Sequence, residues 1–150
     1  MGHETIVHGY IEGSTFKTDD YRALQTKNIA ILEELPVQDE YPFLTRGMFS
    51  TPGQNYDEGT HRVQVIHFGG SIKGLESGDE LLWVKKLEKL LKKMYWFSAK
   101  AYIVTEIDGE YIYSWAVDGE IISSYSGEAP LPTSKWELKV QHDGKTIERI

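Results

Sequence analysis

Two Asp-Gly dipeptides, Asp108-Gly109 and Asp118-Gly119, divide the stretch from Phe97 to Tyr125 into three β-rich runs. A type I′ turn needs positive φ at both central residues, which Asp and Gly tolerate, and its twist matches that of the strands it joins. The stretch therefore reads as a three-stranded meander. With two residues in each loop, Glu106 pairs with Tyr111, Val104 with Tyr113 and Tyr102 with Trp115. Side chains alternate along a strand, so this register puts Tyr102, Val104, Glu106, Tyr111, Tyr113, Trp115 and Ile122 on one face. The other face carries Ala99, Ala101, Ile103, Ile112, Ser114, Ala116 and Ile121, small or aliphatic residues that let a helix lie close. Both faces are substantially apolar, and each is expected to meet something.

The rest of the chain supplies the layers around this meander. Thr5 to Glu12 alternates and is β-rich, with Ile6, His8 and Tyr10 on one face and Val7, Gly9 and Ile11 on the other. A helix is expected from Asp19 or Asp20 to Leu35, capped by Thr18 or Asp19 and stopped by Pro36, although its apolar pattern lapses around Thr26 to Asn28. Val37 to Phe43 reads as a loop, Leu44 to Ser50 as a short strand, Thr51 to Gly59 as an exposed acidic loop and Thr60 to Phe68 as a strand. Gly69-Gly70 and Gly74 then mark a turn leading to a second helix, Asp79 to Met94. Its apolar side is Trp83, Val84, Leu87, Leu90, Leu91 and Met94, and Lys85, Lys86, Lys89, Lys92 and Lys93 cover the other as a solvated face. Ser77 and Glu80 have the spacing of a capping box. Gly127 to Ser134, with Pro130 and Pro132, is irregular, and a third Asp-Gly pair, Asp143-Gly144, joins a C-terminal hairpin. Up to the meander the order is strand, helix, strand, strand, helix, strand. This is the split βαβ order, in which helices pack on one face of an antiparallel sheet. The expectation is one α+β domain over residues 1–150, with two helices on one sheet face. Its ferredoxin-like order βαββαβ is extended by additional C-terminal strands.

Composition narrows the function classes. With no cysteine, disulfides, thiolate catalysis and Cys-based zinc sites are excluded, which fits a reducing cytoplasm. The N-terminus lacks a basic region followed by an apolar run, so no secretory signal is expected. No stretch approaches the length of a membrane span. The net charge is −7, and it is uneven: Asp79 to Lys100 holds six lysines against three acidic residues. So acidic a chain repels phosphate backbones over most of its surface and suits a basic protein partner instead.

The candidate chemistry is sparse. His61 and His67 share a strand face but stand roughly 20 Å apart, too far to chelate one ion. His8 could approach His67, yet no third ligand is indicated, so no metal site is expected. Gly69-Gly70-Ser71-Ile72-Lys73-Gly74 is glycine-rich but lacks the Gly-Lys-Ser/Thr ending of a phosphate loop. Ser50, Ser71 and Ser98 lack the context of a nucleophilic serine. Glu106, beside Tyr111 on the aromatic face, could be a general base in a cleft with His8, or a carboxylate that meets a tyrosine hydroxyl or a partner's cation. No cofactor is implied.

The aromatic face is the best functional candidate. Tyr102, Tyr111, Tyr113, Trp115 and Tyr10 offer large rigid area with polar tips, as interface hot spots do. On a basic sheet the same layout would point to RNA stacking, but basic residues are missing from the expected face. The alternative occupant is the C-terminal hairpin itself, folded over with Trp136, Leu138 and Val140.

Three segments, HGYIEG, THRVQVIHFGGSIK and WVKKLEKLLKKMYWFSAKAYIVTEIDGEYIYSW, together resemble bacterial immunity proteins of polymorphic-toxin systems. The likeness is to small, acidic, cysteine-free domains dense in Tyr and Trp. The resemblance implies a cytoplasmic inhibitor that neutralises a toxin by binding it and performs no catalysis. On that reading Asp57, Glu58, Glu106 and Glu110 meet a basic toxin domain, while Tyr10, Tyr102, Tyr111, Tyr113 and Trp115 anchor the contact. Two other readings stand beside it: a small enzyme or ligand-binding domain with a cleft near Glu106, Tyr111 and His8, and a homodimer burying the aromatic face.

Overall fold

The computed structural model describes residues 4–13, 21–51, 65–73, 75, 78–117 and 135–148. The alternation of the first run is realised in β1 (Glu4–Gly13), where Val7 and Ile11 are fully buried and Ile6 and His8 face outward. β1 pairs antiparallel with β3 (Val65–Lys73) on one side and β4 (Trp96–Thr105) on the other. β3 pairs with the two-residue β2 (Phe49–Ser50), and β4 pairs with β5 (Gly109–Val117). Beyond β5 come β6 (Trp136–His142) and β7 (Lys145–Ile147). Among the described residues this is one seven-stranded antiparallel sheet in the order β2-β3-β1-β4-β5-β6-β7. With the helices α1 (Tyr21–Glu33) and α2 (Glu80–Leu91), the architecture is α+β.

The covered face of the sheet has small residues in the middle and large ones outside. One cross-strand row reads Phe68, Gly9, Ala101, Tyr113, Val140, and the next reads Ile66, Ile11, Ala99, Trp115, Leu138. Glycine and alanine lower the sheet along β1 and β4, and α2 packs over this side. Trp83 is completely buried and tilts against Phe68, with ring centres 6.0 Å apart. Trp115 donates from Nε1 to Glu88 on the same helix at 3.0 Å. The predicted stripe Trp83, Val84, Leu87, Leu90, Leu91 and Met94 is buried throughout, so it is core. Burying each such side chain contributes about 1.5–3 kcal/mol.

Polar contacts set the ends of the helices. Glu80 reaches back to accept the Gly78 N–H at 2.9 Å, while Ser77, the other half of the expected box, lies outside the described residues. The chain past Leu91 tightens into i→i+3 turns, Lys93 N–H to Leu90 and Met94 N–H to Leu91, which stops α2 before Met94. In α1, Asn28 interrupts the apolar pattern for a reason. Its amide donates to the Tyr95 carbonyl at 2.8 Å and accepts the Tyr95 N–H at 2.9 Å, tying α1 to the junction between α2 and β4. Leu32 carries α1 into the common core.

Four expectations need correction. The first concerns the β4–β5 loop, which has three residues, Glu106 to Asp108, because Thr105 pairs with Gly109. Thr105 braces it: its hydroxyl accepts the Asp108 N–H at 2.7 Å and donates to the Gly109 carbonyl at 3.1 Å. Gly109 has the expected positive φ, +81°, but as the residue that follows the loop. The pairing therefore shifts by three residues, from Tyr102 with Trp115 to Tyr102 with Ile112, and Ile103 meets Tyr111; a slip by an odd number exchanges the faces of β5. Second, Gly69-Gly70 is not a turn. Both residues lie inside β3, where Gly70 leaves room for Met48, 3.2 Å from where a Cβ would stand. Third, the strand expected over Leu44 to Ser50 shrinks to two residues, since Arg46–Met48 forms a single 3-10 turn. Fourth, the strand beside β5 is β6, not the run after Asp118-Gly119, which lies outside the described residues. The C-terminal hairpin thus widens the sheet instead of folding over it. Its turn is as expected, with Asp143 at φ +49° and Gly144 at φ +85°.

Gly9 carries a test of this packing. A Cβ there would run into the Lys100 carbonyl oxygen and stand 2.6 Å from the tip of Phe68. Gly9→Ala is expected to cost about 1–3 kcal/mol of stability by overpacking. Urea unfolding at unchanged m-value measures it, and Gly47→Ala, which meets nothing within 4 Å, is the control.

Candidate functional site

The face opposite the helices is the candidate binding surface. Its cross-strand rows follow from the register: Ser71, Ile6, Val104, Glu110; then Gly69, His8, Tyr102, Ile112, Gln141; then His67, Tyr10, Lys100, Ser114, Lys139. Ile6 is 47% exposed and its neighbour Val104 37% exposed, which makes an open aliphatic pair. Ile107, 51% exposed, stands at the tip of the adjoining hairpin beside the exposed Glu106. His8 stacks flat on Tyr102 at 4.8 Å, and Lys100 Nζ lies 5.8 Å from the Tyr102 ring centre. At opposite ends of the face Ser71 donates to Glu4 and Ser98 to Glu12, both at 2.8 Å. Glu110 is held through its backbone: its N–H donates to Asp143 Oδ1 and its carbonyl accepts the Asp143 N–H, each at 2.9 Å. Its carboxylate is left at the surface next to Val104.

The nine expected site residues are thus divided. Tyr10 and Tyr102, both half-buried, lie on the open face with the exposed Glu110. Glu106 is in the hairpin loop. Tyr111, Tyr113 and Trp115, at 3%, 0% and 1% exposure, are in the core under the helices and present no binding surface. The three-residue shift of register, an odd number, is the physical reason. Asp57 and Glu58 lie outside the described residues. The cleft expected from Glu106, Tyr111 and His8 does not form, because Tyr111 faces away from His8 and stacks on His142 at 4.2 Å. A symmetric contact through Trp115 is likewise unavailable. The open face also carries the basic residues expected to be missing from it, Lys100 and Lys139. Among the described residues no three His, Asp or Glu side chains group to hold a metal ion, and no helix is long and apolar enough to cross a membrane.

A second feature, on the helix layer, has no periodic signal in the sequence. The segment after α1 folds back on α2 and leaves a groove of about 220 Å³. Leu35, Leu44 and Leu90 line it, and Lys86, Lys89 and Lys93 rim it. Asp39 pins the segment by accepting the Leu44 N–H at 3.0 Å and the Lys86 ammonium at 2.8 Å. The Leu44 hydrogen bond, and then Lys86, hold its carboxyl below the usual aspartate range. Trp83 Nε1 adds a hydrogen bond to the Phe43 carbonyl at 3.1 Å.

Two measurements follow from these placements. Trp115→Ala is expected to cost about 3–5 kcal/mol, as large-to-small changes in a core do, and to lower the melting temperature sharply. A well-folded Trp115→Ala protein would contradict the register. For Asp39 the folded pKa is depressed, so its contribution is complete above the ordinary value of 3.8 and is lost as pH falls through the folded value. Asp39→Asn should therefore be less stable than the parent at pH 6, by chemical denaturation, with the gap closing below about pH 4.

No family model, curated protein or solved structure matches this chain.

Proposed function

We propose that this chain is a protein-binding inhibitor of the immunity type, one that neutralises a basic toxin domain in the cytoplasm by direct contact. The observation that carries the reading is the exposed Ile6–Val104 pair on an uncovered part of the sheet, with Glu110 in the same row. Neighbouring aliphatic side chains left at a surface offer apolar area that a partner can bury. Its acidic border of Glu110 and Glu106, together with a chain charge of −7, fits a partner that is basic around an apolar centre. His8 and Tyr102, already stacked, offer rigid area that loses little freedom on binding. The anchors of this reading are Ile6, His8, Tyr10, Tyr102 and Val104. The chain order β1, α1, β2, β3, α2, β4, with strand order β2-β3-β1-β4, supports a ferredoxin-like scaffold beneath this face.

The test uses the intact chain as bait in an extract of its native host, followed by kinetics against the purified captured protein. Ile6→Asp and Val104→Asp, both at exposed positions, should keep the melting profile and each weaken binding by roughly 2 kcal/mol. Glu106→Lys with Glu110→Lys should slow association, and the effect should shrink as salt rises through about 0.15 M, where the screening length is roughly 8 Å. Cells expressing the captured protein's active domain should be protected by the parent chain and not by the Ile6 and Val104 variants. Folded variants that bind and protect as well as the parent would overturn the reading.

A further inference from the structure

We propose that the groove between α2 and the segment that follows α1 is a second binding surface, one that takes an acidic segment of a partner protein carrying an aliphatic side chain. The groove, about 220 Å³, falls below the roughly 300 Å³ at which small-molecule pockets begin, and fits one or two side chains of a peptide. Its floor is apolar, with Leu44 and Leu90 buried beneath it and Leu35 half-buried at its side. Its wall is preformed, since Asp39 and the Trp83–Phe43 hydrogen bond hold the facing segment in place. A partner therefore meets a surface that needs little ordering.

Three lysines rim the groove against one aspartate, in a chain whose net charge is −7. Lys86 is engaged by Asp39 and by the Glu40 carbonyl. Lys89 and Lys93 are exposed, and among the described residues neither has an ion pair. Lys85 and Lys92 point to the solvated side that the sequence led us to expect, away from the groove lining. Lys89 and Lys93 differ because an apolar floor lies beside them. A carboxylate meeting them there is partly shielded from water, which strengthens the attraction. A partner segment with carboxylates one helical turn apart, or on alternate residues of a strand, can reach both ammonium groups while an aliphatic residue between them enters the groove. Nucleic acid is disfavoured, because phosphates have no use for the apolar floor and are repelled by the rest of the chain.

This surface lies on the helix layer, and its charge preference is opposite to the one proposed for the open sheet face. It is tested with the full chain and a fluorescein-labelled twelve-residue peptide that carries Glu and Leu at helical i, i+4 spacing. A twin has Lys for Glu, and another has Ser for Leu. Fluorescence anisotropy should give saturable binding of the Glu/Leu peptide that weakens when salt is raised, with neither twin binding. Lys89→Glu combined with Lys93→Glu should lower the affinity at least about tenfold, while Val104→Asp leaves it unchanged. Circular dichroism checks that the double variant is folded, and Lys89→Gln with Lys93→Gln replaces it if not. No saturable binding up to about 1 mM, the weak end of the affinity scale, would overturn the proposal. So would equal binding of the Lys/Leu twin, or an unchanged affinity in the folded lysine variant. Self-association of the parent chain that the lysine variant abolishes would also overturn it, because the groove would then belong to a second copy.

Discussion

Gly109 and Thr105 hold the point on which the chemistry of both sheet faces depends. Gly109, at φ +81°, takes the left-handed conformation that ends a three-residue loop, and the Thr105 hydroxyl closes that loop from inside. From there the β5 side chains alternate, so where the loop begins and ends decides which of them meet the helices. Tyr111, Tyr113 and Trp115 go inward, and Ile112 and Ser114 go outward beside Tyr102 and Lys100. The loop has support from further along the chain. His142 donates from Nε2 to the Asp108 carbonyl, and Asp143 takes both backbone groups of Glu110. The last hairpin therefore helps define the register of the one before it.

With those aromatics inside, the core is a shallow trough. Gly9, Ala99 and Ala101 form its bottom, and Phe68, Tyr113 and Trp115 its sides. α2 carries a fully buried tryptophan over this side and is held at Trp115 through Glu88. Close packing of this kind leaves no room for a methyl group at Gly9. The buried polar groups follow the same economy of space. Asn28 satisfies both backbone groups of Tyr95, where the chain leaves α2 and enters β4.

The two exposed surfaces follow from what the core leaves over. On the sheet side, Ile6 and Val104 remain uncovered next to Glu110. On the helix side, the Asp39–Lys86 pair holds a segment across α2, and Lys89 and Lys93, which have no ion pair among the described residues, lie along an apolar groove. On the two proposals together, such a chain would take a basic partner at one layer and an acidic segment at the other. Net charge alone, at −7, hides that division.

Local patterns were enough to place most of the elements. The alternation in β1, the apolar stripe of α2, the Asp143-Gly144 turn and the positive φ of Gly109 all depend on residues close in sequence, and all are present. Tyr10, Tyr102 and Glu110 were legible as surface candidates for the same reason. What local patterns could not decide was the length and position of one loop, because an Asp-Gly pair can form a two-residue turn or close a three-residue loop. Thr105 within the hairpin and the distant His142 and Asp143 together hold that choice, and it removed Tyr111, Tyr113 and Trp115 from the surface. Long-range contacts also put Gly69-Gly70 inside a strand, set β6 beside β5, gave Asn28 its buried role and shaped the lysine-rimmed groove. Each of these unites residues dozens of positions apart. The sequence alone determined which segments could be strand or helix, and the tertiary structure decided which of their faces would meet water.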